Sequence, residues 1–185
     1  GSGTAIFISE CFLWGNSGHF GAALACDNRA TCNLTSVVLK QNVGIQQGAV
    51  RAAFSIMHLF DVSLIENRVQ GGNGGGALYM EGDSRVFVKE SIFKLNEDLH
   101  GNGHQISTAT ITTHRLFLPS LSILSSVFDN KFPNGNFFGF QTNYTWYNFG
   151  TEYYIAPANC STAPTQCQDN GYSDAYACVD KPNPN

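Results

Sequence analysis

Carboxylates are the side chains of this 185-residue chain best suited to acid–base chemistry, and Asp61 and Glu90 are the pair to consider. Lys89 and Lys94 flank the second of them. Two carboxylates on one outward face could share an acid–base role or bind calcium, as polysaccharide lyases, hydrolases and epimerases require. In the repeat register Asp61 and Glu90 fall in one column with Glu10 and Ser36. No Asp-Asp pair or Arg-bearing cluster reinforces them, and such a pair is more often surface decoration, so no catalytic residue is assigned. His100 and His104, with His114 downstream, invite a metal reading. The i,i+4 geometry that ligates a metal on a helix does not apply in a Gly-rich corner, and the stretch reads as a solvated loop with no metal. The run Gly72-Asn73-Gly74-Gly75-Gly76-Ala77 looks like a nucleotide loop. The residues after it are strand-like, so no helix N-terminus is there to receive a phosphate. A serine or cysteine nucleophile with a paired histidine cannot be placed from the spacing.

What would position these residues is an internal repeat. Asn16, Asn42, Asn67, Asn96 and Asn130 recur at separations of 26, 25, 29 and 34 residues. Gly21, Gly48, Gly76 and Gly103 recur at 27, 28 and 27. Two landmarks with one period identify repeats too short to fold alone. In register, Ile6, Cys32, Met57 and Val86 fall together, as do Ile8, Leu34, Leu59 and Val88, and Leu13, Leu39, Leu64 and Phe93. The intervening column Phe7, Asn33, His58 and Phe87 tolerates polar residues and is expected to face out. A repeat that buries only one face against its neighbours is a solenoid coil, with equivalent strands about 4.8 Å apart.

The Asn column is expected at a corner, where Asn tolerates the left-handed backbone and its amide can bond local backbone or the Asn above it. The Gly-Ala pairs suit a second corner, where only a small side chain fits. Parallel crossovers are nearly always right-handed. The sequence therefore predicts an all-β, right-handed parallel β-helix of about five coils over residues 1–156, with 157–185 a disulfide-pinned tail or the start of a further module. A β-sandwich would share the short strands and glycine turns, but its spacing would match by coincidence. A leucine-rich horseshoe would need a fixed leucine spacing and helical segments that are missing.

Gly75-Gly76-Ala77-Leu78 followed by Phe93-Lys94-Leu95-Asn96 resembles the paired GGA(I/L) and FxxN motifs of the polymorphic outer membrane protein repeat. Gly21-Ala22-Ala23-Leu24 keeps most of the first motif and Val127-Phe128-Asp129-Asn130 the spacing of the second. The repeat is named from chlamydial surface adhesins and is similar to many secreted algal and protist proteins. The resemblance covers about residues 3–140 and implies an extracellular β-helix used for adhesion or as a surface scaffold. It carries no chemistry to particular residues.

Composition agrees with stacked coils: 13% of residues are charged, while Gly (19) and Phe (14) are plentiful. The net charge of −4 excludes a dominant pull toward nucleic acid, and no apolar run of spanning length is present. Six cysteines form two groups, Cys11, Cys26 and Cys32, then Cys160, Cys167 and Cys178, without zinc spacing. Cys26 and Cys32 enclose a short loop and are the expected disulfide. One cysteine of the later group either reaches back to Cys11 or has its partner elsewhere. Asn33, Asn143 and Asn159 open N-x-S/T sequons. Sequons and cysteines together predict a secreted, oxidised glycoprotein. The sequence shows no signal peptide, and Ala5-Ile6-Phe7-Ile8 already lies in strand register, which predicts a processed product or a piece of a longer protein.

The aromatic-rich stretch from Phe132 to Tyr154 reads as a cap on the last coil, or as a sugar-stacking platform through Trp146. The functional expectation is a structural or adhesive module of a larger surface, wall or filament glycoprotein, partnered by other copies, other domains or glycans. The alternative is a carbohydrate-active or carbohydrate-binding β-helix on acidic polysaccharides. No cofactor is expected, apart from the calcium that Asp61 and Glu90 could take.

Overall fold

The computed structural model describes residues 3–71, 74–100, 105–109, 120–130, 138–141 and 153–157. Every strand pairing in it is parallel, and no helix occurs among the described residues. The chain is a parallel β-solenoid. Its first sheet stacks Ala5–Ser9, Thr31–Thr35, Ile56–Phe60, Arg85–Lys89 and the start of Ser120–Asn130. About four turns run between the first and last of these, against the five coils expected, and Tyr153–Pro157 adds a further strand.

The second sheet stacks Phe12–Trp14, Val38–Lys40, Ser63–Ile65, Ile92–Asp98 and the end of Ser120–Asn130. A narrow strip, Ser17–Gly18, Val43–Gly44 and Arg68–Val69, leads on from it. The third sheet stacks Leu24–Asp27, Val50–Ala53, Leu78–Glu81, Ile106–Ala109 and Phe138–Gln141. Ile106–Ala109 takes up Thr108, the start of a Thr-rich run to Thr113, and Phe138–Gln141 and Tyr153–Pro157 place parts of the aromatic stretch in strands. The rest of that stretch, with Trp146, the tail after Pro157, Gly103, His104 and His114 lie outside the described residues.

Strand alternation builds the core. In the first sheet Ile6 pairs with Cys32, Cys32 with Met57 and Met57 with Val86, in the register read from sequence. Cys32, Met57, Leu59, Leu39, Leu64 and Phe93 are buried, and Ile6, Ile8 and Leu13 of the first coil are partly so. Burying each large apolar side chain contributes about 1.5–3 kcal/mol. Because equivalent residues sit above one another, one inward apolar position per strand repeats as a continuous column.

The Asn column works differently from the expectation. The residues in the left-handed region are those just before it: Gly15 (φ 65°), Gln41 (54°), Glu66 (54°) and Leu95 (55°). That twist turns the next side chain inward, and Asn42, Asn67 and Asn96 are fully buried. Asn42 Oδ1 accepts from the backbone N (3.0 Å) and Nδ2 (2.9 Å) of Asn16. Asn67 Oδ1 accepts from Asn42 in the same way, and Asn96 Oδ1 from Asn67. The second amide proton points back, from Asn42 to Leu13 O, from Asn67 to Leu39 O and from Asn96 to Leu64 O. Asn96 Nδ2 also donates to Gln105 Oε1 at 2.6 Å, so a buried glutamine takes part at the fourth coil.

The glycine column also needs correcting. The third-sheet register, Leu24 with Val50 and Val50 with Leu78, sets Ala22 beside Gly48 and Gly76, and Gly21 beside Gln47 and Gly75. The two glycine positions answer different constraints. Gly21 and Gly75 have φ of 64° and 73°, and a Cβ on either would strike the carbonyl three residues ahead, of Leu24 or Leu78. A Cβ on Gly48 would meet the Gly75 carbonyl of the next coil.

Replacing Asn67 with Ala strands Asn42 N, Asn42 Nδ2 and Leu39 O in a buried column. Asn67→Ala is expected to cost about 3–5 kcal/mol in urea unfolding, and the solvent-exposed Asn16→Ala about 1 kcal/mol. Equal losses at both positions would mean that the ladder contributes no burial-dependent stability.

Candidate functional site

Glu10, Ser36, Asp61 and Glu90 form a column at the corner after the first sheet. Glu10 N donates to Thr35 O, Ser36 N to Phe60 O and Asp61 N to Lys89 O, each across one coil. All four are left-handed, with φ of 50°, 53°, 53° and 52°. That backbone costs an ordinary residue about 1–2 kcal/mol, and short polar side chains bear it best. The side chains engage locally: Ser36 Oγ donates to Asp61 Oδ2 at 2.8 Å, and Lys89 Nζ lies 3.3 Å from Glu90 Oε1. The structure thus stacks the predicted carboxylates at a corner and turns them to different partners. Among the described residues no group of three or more His, Cys, Asp or Glu is arranged to hold a metal ion.

A second charged cluster escaped the sequence reading. On the outer side of the third sheet Arg51 Nη1 pairs with Asp27 Oδ2 and Nη2 with Glu81 Oε1, one coil to either side. Tyr79 OH donates to Glu81 Oε2 at 3.2 Å, and the Phe20 ring lies 5.6 Å from the Arg51 guanidinium carbon. Tyr79 and Ser107 are fully buried although strand alternation points them outward. Burial pushes the Asp27 carboxyl above its ordinary value of 3.8, Glu81 adds to the rise, and Arg51 opposes it without cancelling it. The signal was present in sequence, since Asp27 and Glu81 share a column two residues past Arg51.

Among the described residues, the outer sides of the first and second sheets carry exposed aromatic side chains. Phe7 is 78% exposed, Trp14 63%, Phe12 56% and Phe87 42%. In the first sheet the outward column runs Phe7, Asn33, His58, Phe87, with the His58 and Phe87 rings stacked at 4.9 Å and 9°. Lys89 Nζ lies 5.2 Å from the Phe60 ring centroid. In the second sheet Phe12 and Trp14 sit at 6.4 Å, and Trp14 Nε1 donates to Gln41 Oε1 at 2.7 Å.

Cys26 and Cys32 form a disulfide across the corner between the third and first sheets, and among the described residues Cys11 is free. Asn33 stands on the outward face. Asn143, Asn159, Cys160, Cys167 and Cys178 lie outside the described residues.

Compared with models of known families, with curated proteins and with solved structures, the chain finds no match. What stands is the class: a parallel β-solenoid stitched by a buried asparagine ladder.

Two measurements probe these corners. Glu90→Gly removes the Cβ from a left-handed residue and is expected to raise stability by about 0.5–1 kcal/mol in urea unfolding, the Lys89 ion pair being worth little at the surface. A loss of that size would mean that Glu90 is held for its side chain. Asp27 has its native pKa raised, so the folded state keeps that proton longer than the unfolded chain does. The stability it contributes is full below 3.8 and is lost as pH climbs through the raised value. Unfolding from about pH 3 to about pH 6 should show this falling component in the wild type and not in Asp27→Asn.

Proposed function

We propose that this chain is an extracellular structural or adhesive β-helix module of a larger surface, wall or filament glycoprotein, of the polymorphic outer membrane protein repeat type. One observation carries the reading: large aromatic side chains stand exposed on two outer sheet faces, Phe7 and Phe87 on one and the adjacent Phe12 and Trp14 on the other. Parallel sheets are ordinarily covered on both faces, and contiguous exposed apolar patches mark interaction surfaces. The Cys26–Cys32 bond supports an oxidising compartment. The mechanism is physical: a rigid rod presents outward side chains and glycans, and associates through its faces with other copies, other domains or glycans.

Electron microscopy of material taken directly from its source tests assembly, regular fibres or sheets being the expected result. Trp14→Ala and Phe12→Ala should each weaken binding to the purified surface or wall by about tenfold or more, as central aromatic anchors do. Dispersed particles together with unchanged binding would defeat the reading.

A second reading, a β-helix active on or binding acidic polysaccharides, is favoured by one corner. There Lys89 spans the Phe60 ring and the Glu90 carboxylate, beside Asp61. Calcium-dependent degradation of pectin or alginate that disappears in the Asp61→Ala/Glu90→Ala double variant would establish it.

A further inference from the structure

The chain uses asparagine in two ways. Asn42, Asn67 and Asn96 are buried and hydrogen-bonded on both sides, whereas Asn33 lies on the outer side of the first sheet. Its side chain takes no hydrogen bond among the described residues, although its strand neighbours are fixed: Leu34 beside it is buried and Thr35 is exposed. Asn33 is half-buried, so the sequon Asn33-Leu34-Thr35 presents a partly exposed amide and an exposed hydroxyl from its strand.

The register decides what surrounds that amide. Asn33 pairs with Phe7 on one side and His58 on the other, each about one strand spacing of 4.8 Å away. The His58 ring is already occupied, stacked on Phe87. The Phe7 ring is 78% exposed, more than any other large apolar side chain described. Leaving a phenyl ring so uncovered forgoes much of the stabilisation that its burial would contribute.

We propose that Asn33 carries an N-linked glycan and that its first N-acetylglucosamine packs against the Phe7 ring. The inference rests on the secreted reading above. In the transfer, Asn33 Nδ2 attacks the anomeric carbon of a lipid-diphosphate-linked oligosaccharide. The carbon–nitrogen bond forms and the bond from that carbon to the phosphate oxygen breaks. The lipid diphosphate leaves with the electron pair, and one Nδ2 proton passes to a base of the transferase. The axial C–H bonds of the pyranose, carrying partial positive charge, then face the negative π-surface of Phe7. A glycan there would shield the first sheet and leave the Phe12–Trp14 face of the second sheet for contact.

The test is expression of the full chain through a eukaryotic secretory pathway, with glycopeptide mass spectrometry at Asn33, Asn143 and Asn159. Thermal unfolding is compared for wild type, Thr35→Ala (which removes the sequon and keeps Asn33), Phe7→Ala and the double variant. Asn33 is expected to be occupied, and Thr35→Ala to lower the midpoint by about 2–4 °C more in the wild type than in the Phe7→Ala background. The N-acetyl methyl resonance of the Asn33 sugar should lie upfield through the ring current and return to its ordinary position in Phe7→Ala. An unoccupied Asn33 with Asn143 or Asn159 filled would overturn the proposal and leave secretion standing. All three sites empty would overturn both. Additive substitutions with an unshifted methyl resonance would overturn the packing on Phe7.

Discussion

Each coil of this chain is incomplete, and the buried asparagine ladder is the constraint that joins it to the next. A corner must bring polar backbone inside, where an unpaired N–H or C=O is costly. Asn is suited to the task because one amide offers two protons and an acceptor. Its Oδ1 takes the backbone N and the side-chain amide of the preceding coil, while Nδ2 bonds forward to the next ladder residue and back to a carbonyl. Aspartate would lose both protons, and a hydroxyl could supply only one. The neighbouring corner shows the smaller version: Ser91 Oγ accepts from Val62 N, and Ser126 Oγ from Ser91 N.

The fold was legible wherever identity of residue and identity of role coincide. The columns Ile6–Cys32–Met57–Val86 and Leu13–Leu39–Leu64–Phe93 came out in true register because burial selects apolar residues at every copy. The Asn ladder was visible for the same reason, but its geometry was not: sequence shows which residue recurs, while the left-handed backbone belongs to the unlike residues Gly15, Gln41, Glu66 and Leu95 before it. Glycine misled by one position because it serves two purposes. Gly21 and Gly75 supply a backbone conformation, Gly48 supplies clearance, and both look alike as letters. The Asp27–Arg51–Glu81 cluster stayed hidden because Arg51 lies in a different column from Asp27 and Glu81, and Ala53 stands between those two.

The corner carboxylates show how a solenoid lines up like residues. Repetition stacks like residues by itself, so a column of Glu10, Ser36, Asp61 and Glu90 needs no functional cause. A left-handed φ at all four marks a corner that each coil must turn. The outer faces are different, since neither backbone geometry nor core packing asks for an exposed Phe7 or Trp14. On the proposed reading contact falls to the outer faces, and to the Phe12–Trp14 face where a glycan on Asn33 covers the first sheet.

The ladder amides also share one orientation. Every Oδ1 described points toward the preceding coil and every forward amide proton toward the next. Their dipoles therefore add along the rod as peptide dipoles do along a helix, each amide polarising its neighbour. The column is negative toward its first coil and positive toward Gln105. The rod has an electrical direction before any charged side chain is counted, and through this term two rods in line attract when they point the same way and repel when they face each other.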